Sequence, residues 1–251
     1  MRTRAGLLAL PLIQGIVAPA QAAELSTYDP VGFSPDGATF AFVEYGVTDG
    51  AGAPYANGFA IDVAADRFVA GTPVRLGGGE PGDLSETELR AQVEALRTRA
   101  RFLLSEAAAE GRWRRGDLLA FSPVTDLDRD GQRLSFNPDY IPTVVGGAYT
   151  ALLETIPFAA GENDCPDFGQ AIVGFRLTLE DGHDLVTLND DLSVPRSRGC
   201  PIGYRIAGAE TYRAPDGTRS VAILVQMSTI GFEGPDGRWL AVTHRGQLGG
   251  D

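Results

Sequence analysis

The sequence predicts a mainly β protein: antiparallel strands in a sandwich or in curved sheets, with one long amphipathic α-helix. Two observations carry this. Short runs rich in Val, Ile, Phe, Thr and Tyr alternate with turn dipeptides (Asp130-Gly131, Asp181-Gly182, Asp216-Gly217, Asp236-Gly237), and strands joined by short turns pair antiparallel. One stretch alone switches to helical spacing, with apolar residues at Leu89, Val93, Leu96, Ala100, Leu103 and Ala107.

The elements follow in chain order. Arg2 and Arg4 precede an apolar stretch from Leu7 to Val17, and Ala20-Gln21-Ala22 has the small-x-small form of a cleavage site. This is the layout of a secretory signal peptide over residues 1–22, leaving 23–251 as one β-rich domain. Pro11 and Gln14 interrupt the apolar stretch, and no later run approaches the length a bilayer needs, so no membrane span is expected after cleavage. Pro35-Asp36-Gly37 forms a turn, because proline presets the first corner and glycine takes the open conformation. Strands are expected over Phe40 to Tyr45, near Asn57 to Val63 and near Arg67 to Arg75.

After Gly77-Gly78-Gly79 a helix is expected over about residues 85–110, opened by the capping box Ser85-Glu86-Thr87-Glu88 and supported by Glu86 and Arg90 at i,i+4. Gly111 stops it, and Arg112, Arg114 and Arg115 beyond suit the dipole. Eight strands then follow: Leu118–Phe121, Arg133–Phe136, Ala148–Thr155, Gln170–Glu180, Asp184–Thr187, Gly203–Tyr212, Ser220–Ser228 and Arg238–His244, before a frayed tail from Gly246. Pro-Asp-Gly recurs at 35, 215 and 235. A propeller needs a steady period of roughly 40 to 50 residues, so the three read as hairpin turns, with propeller-like blades as the alternative.

Composition excludes several chemistries. The chain has 251 residues and a formal charge of -12, and all 21 basic residues are arginine. Without lysine there is no P-loop, no Schiff base and no kinase lysine. Two histidines and two cysteines are too few for the ordinary zinc frameworks. The acidic balance argues against a nucleic-acid partner. The arginine-only composition hints at a GC-rich genome.

Export makes a disulfide between Cys165 and Cys200 the expectation, since the compartment is oxidising and there is no C-x-x-C redox pair. Asp126-Leu127-Asp128-Arg129-Asp130-Gly131 has oxygen ligands on alternate residues and a glycine at the bend, the first half of a calcium loop. The second half departs: its twelfth position is Asn137, so Asp126, Asp128 and Asp130 stand as a calcium turn outside the EF-hand type, against a plain acidic turn. Calcium is thus the one cofactor under consideration. A second acidic set surrounds the cysteines: Glu162, Asp164, Asp167, Glu180, Asp181, Asp184, Asp190 and Asp191. Drawn together, two of these would bind a cation or serve as acid and base; as a solvated loop they would do neither. His183 and His244 lack the G-x-S-x-G context of a nucleophile elbow. The glycines before the helix are no phosphate cradle, because Glu80, Asp83, Glu86 and Glu88 would repel the anion.

Two stretches together carry a resemblance. One runs from Phe33-Ser34-Pro35-Asp36-Gly37 into Phe40-Ala41-Phe42-Val43-Glu44-Tyr45-Gly46-Val47, then Asp49-Gly50 and Pro54-Tyr55; the other is Gly231-Phe232-Glu233-Gly234-Pro235-Asp236-Gly237-Arg238-Trp239-Leu240-Ala241-Val242. They resemble a family of predicted secreted bacterial proteins catalogued as domain of unknown function 2259. The resemblance implies export to the periplasm or beyond and a β-rich domain. It implies no activity, and the Asp126–Gly131 run is outside its pattern. With no nucleophile motif, metal framework or cofactor fingerprint, the expected function is a non-enzymatic binding or envelope accessory module, with an envelope protein as its candidate partner. The alternative is a secreted hydrolase using a carboxylate pair, with calcium in support.

Overall fold

The computed structural model describes residues 24–77, 84–108, 112–122, 130–138, 148–159, 164–166, 169, 171–232 and 234–246. Among these, thirteen strands and one helix build three antiparallel sheets. The first sheet has the order β1 (Thr27–Phe33), β2 (Thr39–Val47), β3 (Pro54–Asp62), β4 (Arg67–Phe68), with β5 (Val74–Gly77) also on β3. The central sheet runs β13 (Pro235–Arg245), β12 (Arg219–Ile230), β11 (Pro201–Arg213), β6 (Asp117–Phe121). The third runs β10 (Leu185–Asp190), β9 (Val173–Glu180), β8 (Tyr149–Pro157), β7 (Arg133–Phe136). The expected antiparallel β architecture with one helix is observed, and among the described residues no barrel closes.

Side-chain parity explains the stacking. Along a strand, successive residues face opposite sides. In β12, Val221, Ile223, Val225 and Met227 pack on the third sheet, while Ala222 and Leu224 pack on the first. A strand buried on both faces reads as one continuous apolar run, and Val221–Val225 is such a run. The third sheet buries one face: Phe175, Leu177 and Leu179 point inward, whereas Arg176 between them is exposed. The first sheet is covered twice. Phe33, Phe40, Phe42 and Phe59 meet the central sheet, and Val31, Ala41, Val43, Ala56 and Ala60 meet the helix α1 (Glu86–Ala107).

The capping box forms as expected, with the Ser85 amide donating to Glu88 Oε2 at 2.9 Å. The helix spans 22 residues and ends at Ala107, shorter than expected, with Ala108 as its extended cap; Gly111 lies outside the described residues. Its deepest side chains are Ala100 and Leu104. Leu104 lies off the expected stripe and packs over Gly58, where an added Cβ would stand 3.0 Å from Leu104 Cγ. Arg97 and Arg101 pin the helix to Asp29 of β1 at 2.7 and 2.9 Å.

Three elements depart from expectation. β1 is not among the expected strands: it carries Pro30 and a bulge at Gly32, both weak strand signals that an edge strand tolerates. Gly32 has φ +115°, and a Cβ there would strike the Arg114 carbonyl, which instead accepts the Phe33 amide at 2.7 Å. The single strand expected over Arg67–Arg75 is two short ones, β4 and β5. Pro235-Asp236-Gly237 is not a turn: it opens β13, pairing with Ser228–Ile230, whereas the triplets at 35 and 215 are turns.

Candidate functional site

β13 is an edge strand, and its outer edge is capped by other parts of the chain. The Gly237 amide donates to the Glu24 carbonyl, and the Ser26 amide donates to the Gly237 carbonyl, so residues 24–26 lie alongside as a short parallel segment. Further along, the Trp239 amide donates to Glu44 Oε2 at 2.9 Å and the Thr243 amide to Asp66 Oδ1 at 2.8 Å. In an antiparallel pair the outward amides belong to alternate residues, so Ala241 between them faces the same edge. Carboxylates occupying edge amides blunt strand addition there.

A cleft of about 520 Å³ opens along this edge, between the first and third sheets. Its apolar lining is Phe59, Ile61 and Phe68 from the first sheet, Phe175 from the third, and Met227, Trp239 and Val242 from the central sheet. Pro195, Ser197, Arg198 and Gly199 close one side.

Glu44 is the best-buried acid of the cleft. Besides the Trp239 amide it accepts from Asn57 Nδ2 at 3.0 Å and Ser26 Oγ at 3.3 Å, and Trp239 Nε1 donates to the Ser26 carbonyl. Phe40, Phe42 and Glu44 share a strand face, so a charge at the third inward position of an apolar strand was the signal that could have marked it. Asp66 sits at a turn with φ +47°, and nothing in the sequence distinguishes it. Burial pushes its carboxyl above the ordinary value, outweighing its two hydrogen bonds from Thr243.

Arg238 pairs with Glu24 at 2.5 Å, with its guanidinium 5.1 Å from the centre of the Tyr55 ring. Burial of Tyr55, the dominant effect, drives its phenol well above the ordinary value. Arg198 is set by Asp191 at 2.6 Å and lies over Phe175 at 4.7 Å. Burial likewise pushes the neighbouring Tyr204 phenol up to about 12, against the opposing charge of Arg198.

The Cys165–Cys200 disulfide is present, with Cα atoms 5.7 Å apart. Cys165, Ile172 and Val194 form a small core of their own, against which Phe158 and Cys200 pack. The bridge therefore anchors the 194–200 segment that carries Arg198 to the cleft.

Among the described residues the two acidic groups do not assemble into one centre. Asp126 and Asp128 lie outside the described residues, and Asp130 accepts the Gln132 amide at 2.9 Å in a local turn. Glu162 and Asp167 also lie outside them. The rest disperse: Asp181 caps the amides of His183 and Asp184, Asp190 pairs with Arg176, Glu180 stands 3.9 Å from Arg133, and Asp191 holds Arg198. Among the described residues no group of three or more His, Cys, Asp or Glu is placed to hold a metal ion. His183 is in an exposed turn, and His244 on β13 pairs with Val221 on β12. Among the described residues no helix is long and apolar enough to cross a membrane.

A family model described as predicted secreted protein, DUF2259, matches residues 41–245. The chain belongs to this family. The match covers β2 through β13, so the cleft, the helix and both cysteines are within the DUF2259 region, whereas Glu24 and Ser26 precede it. The family description makes this a predicted secreted protein. Searches of curated proteins and of solved structures return no match.

Proposed function

We propose that this DUF2259 protein is a binding module of the cell envelope, exported to the periplasm or beyond, and that it holds a small ligand in the cleft beside β13. The observation that carries the reading is the cleft itself: concave, mostly apolar, with a few polar groups at its walls, in the size range of small-molecule sites. Four of its charged groups are fixed before any ligand arrives. Glu44 and Asp66 are held by backbone amides, Arg198 by Asp191, and Arg238 by Glu24. Pre-set walls lower the ordering cost of binding.

The hydrolase alternative has less support. The amides capped by Glu44 and Asp66 belong to Trp239 and Thr243, four residues apart on an extended strand, or about 13 Å. Paired catalytic carboxylates in glycoside hydrolysis stand about 5 to 9.5 Å apart.

The test is native mass spectrometry of the protein secreted from its own host, beside Ala241→Trp and Ser197→Trp, which fill the cleft from opposite walls. The expected result is a small-molecule adduct on the wild type that both variants lose while keeping the wild-type melting profile. An adduct retained by both folded variants, or none on the wild type, overturns the reading. The same spectra give the N-terminus, expected at Ala23; an intact Met1 would refute export by signal cleavage.

A further inference from the structure

The chain is acidic in net charge, yet the cleft is not. Four arginines line it (Arg67, Arg75, Arg198 and Arg238) against two carboxylates, Glu44 and Asp66. Most of these charges are spent. Glu44 accepts from Ser26, Asn57 and Trp239, and Asp66 accepts both donors of Thr243. Arg198 is engaged by Asp191 and Arg238 by Glu24, both carboxylates buried behind the lining. Arg67 and Arg75 differ: both are exposed, and neither makes a hydrogen bond or ion pair among the described residues.

Strand register places Arg75 beside an apolar surface. Arg75 stands across from Asn57 on β3, whose side chain reaches Glu44 inside the cleft, so Arg75 shares that face. Phe68 stands across from Ile61 on the same face, is 46% exposed and packs on Phe59 with ring centroids 5.9 Å apart. Arg67, next to Phe68 in the chain, stands across from Asp62 and so leaves the opposite face of β4, but it is among the residues lining the cleft. An exposed aromatic ring on the same face as Arg75, with a floor of Phe59, Ile61 and Trp239, offers hydrocarbon contact and anion contact in one cleft. Guanidinium binds carboxylate and phosphate oxygens through two parallel N–H groups.

On the premise that the cleft is the ligand site, we propose that its ligand is an anionic amphiphile, with a carboxylate or phosphate head at Arg75, Arg67 adding positive charge further along the lining, and a hydrocarbon tail along Phe68, Phe59, Ile61 and Trp239. Charge complementarity selects the anion: on a chain of net charge -12, two cleft-lining arginines with no ion pair among the described residues are the local exception.

The chain has two tryptophans, and Trp239 lines the cleft while Trp113 packs by the helix. In a Trp113→Phe background, Trp239 emission reports the cleft, with wild type titrated alongside. The probes are decanoate, decyl phosphate, decanol and decylammonium, each below its micelle concentration. The expected result is that at least one anionic probe binds about tenfold more tightly than decanol, and that Arg67→Gln/Arg75→Gln removes this advantage while decanol affinity stays within about twofold. Decanol or decylammonium binding as tightly as both anions, or an anion advantage unchanged in the double variant, overturns the headgroup assignment and leaves the cleft as the ligand site. If no probe moves Trp239 emission while the secreted protein still carries a cleft-dependent adduct, the amphiphile proposal alone fails. If that adduct is also missing, the binding reading fails with it.

Discussion

Gly58 and Leu104 form the contact on which the helix docks, and a double-mutant cycle on them is the sharpest test of the packing. Leu104 is fully buried, and a Cβ built on Gly58 would lie 3.0, 3.1 and 3.3 Å from Leu104 Cγ, Cδ1 and Cδ2. Leu104→Ala removes a buried side chain and leaves a cavity, at a cost of about 3 to 5 kcal/mol. Gly58→Ala alone crowds three atoms of one side chain, costing about 1 to 3 kcal/mol for overpacking. Better strand propensity offsets about 0.5 to 1 kcal/mol of that. The two changes should not add. Once Leu104 is cut back, the methyl that Gly58→Ala introduces meets no obstacle and fills part of the void, so the double variant should be less destabilised than the sum by about 1 to 2 kcal/mol. Urea denaturation of the four proteins, with circular dichroism as readout, gives the cycle directly. Additivity within about 0.5 kcal/mol would mean that the helix does not seat on β3 through this pair, and the account of the outer layer would be wrong.

Other outcomes are expected. Thiol labelling of the native exported protein should find no free cysteine, and Cys165→Ser/Cys200→Ser should cost about 4 kcal/mol of stability and weaken cleft binding through the 194–200 segment; labelling of both thiols would refute the bridge. Glu210 is 2% exposed with its carboxylate accepting from Tyr28 Oη at 2.7 Å, and burial raises its pKa above the ordinary value. A raised acid stabilises the fold while protonated and loses that contribution as pH rises through its folded pKa. Glu210→Gln should therefore raise Tm relative to wild type more at pH 8 than at pH 4, and a difference independent of pH would contradict this. Millimolar calcium should shift Tm by less than about 2 °C, and a shift of many degrees would revive the turn around Asp126, Asp128 and Asp130.

Much of this architecture was legible in the chain because its causes are local. The capping box at Ser85, the Glu86–Arg90 pair and the strand Arg133–Phe136 each depend on residues within a few positions of one another, and each appears where the sequence places it. Pairing of Cys165 with Cys200 followed from there being no other cysteine. Where neighbours further along the chain decide, local reading lost ground. Pro235-Asp236-Gly237 has the residues of a turn, but Ser228–Ile230 and the segment at Glu24 hold it extended on both sides. β1 contains Pro30 and Gly32, and only its pairing with β2 and the bond from Arg114 make it a strand.

The candidate site belongs almost wholly to that second class. Glu44, Asp66, Arg75, Arg198 and Trp239 come from five separate stretches, and no spacing along the chain relates them. The sequence by itself determined the antiparallel β class, the one helix and the disulfide, since periodicity, capping and cysteine count act over short range or by elimination. Tertiary structure decided that β12 is buried on both faces, that β13 is an edge, and that carboxylates from the first sheet cap that edge within an arginine-lined cleft. The reason is physical: which face of a sheet is covered, and which charge is left without a partner, are properties of surfaces brought together from distant parts of the chain.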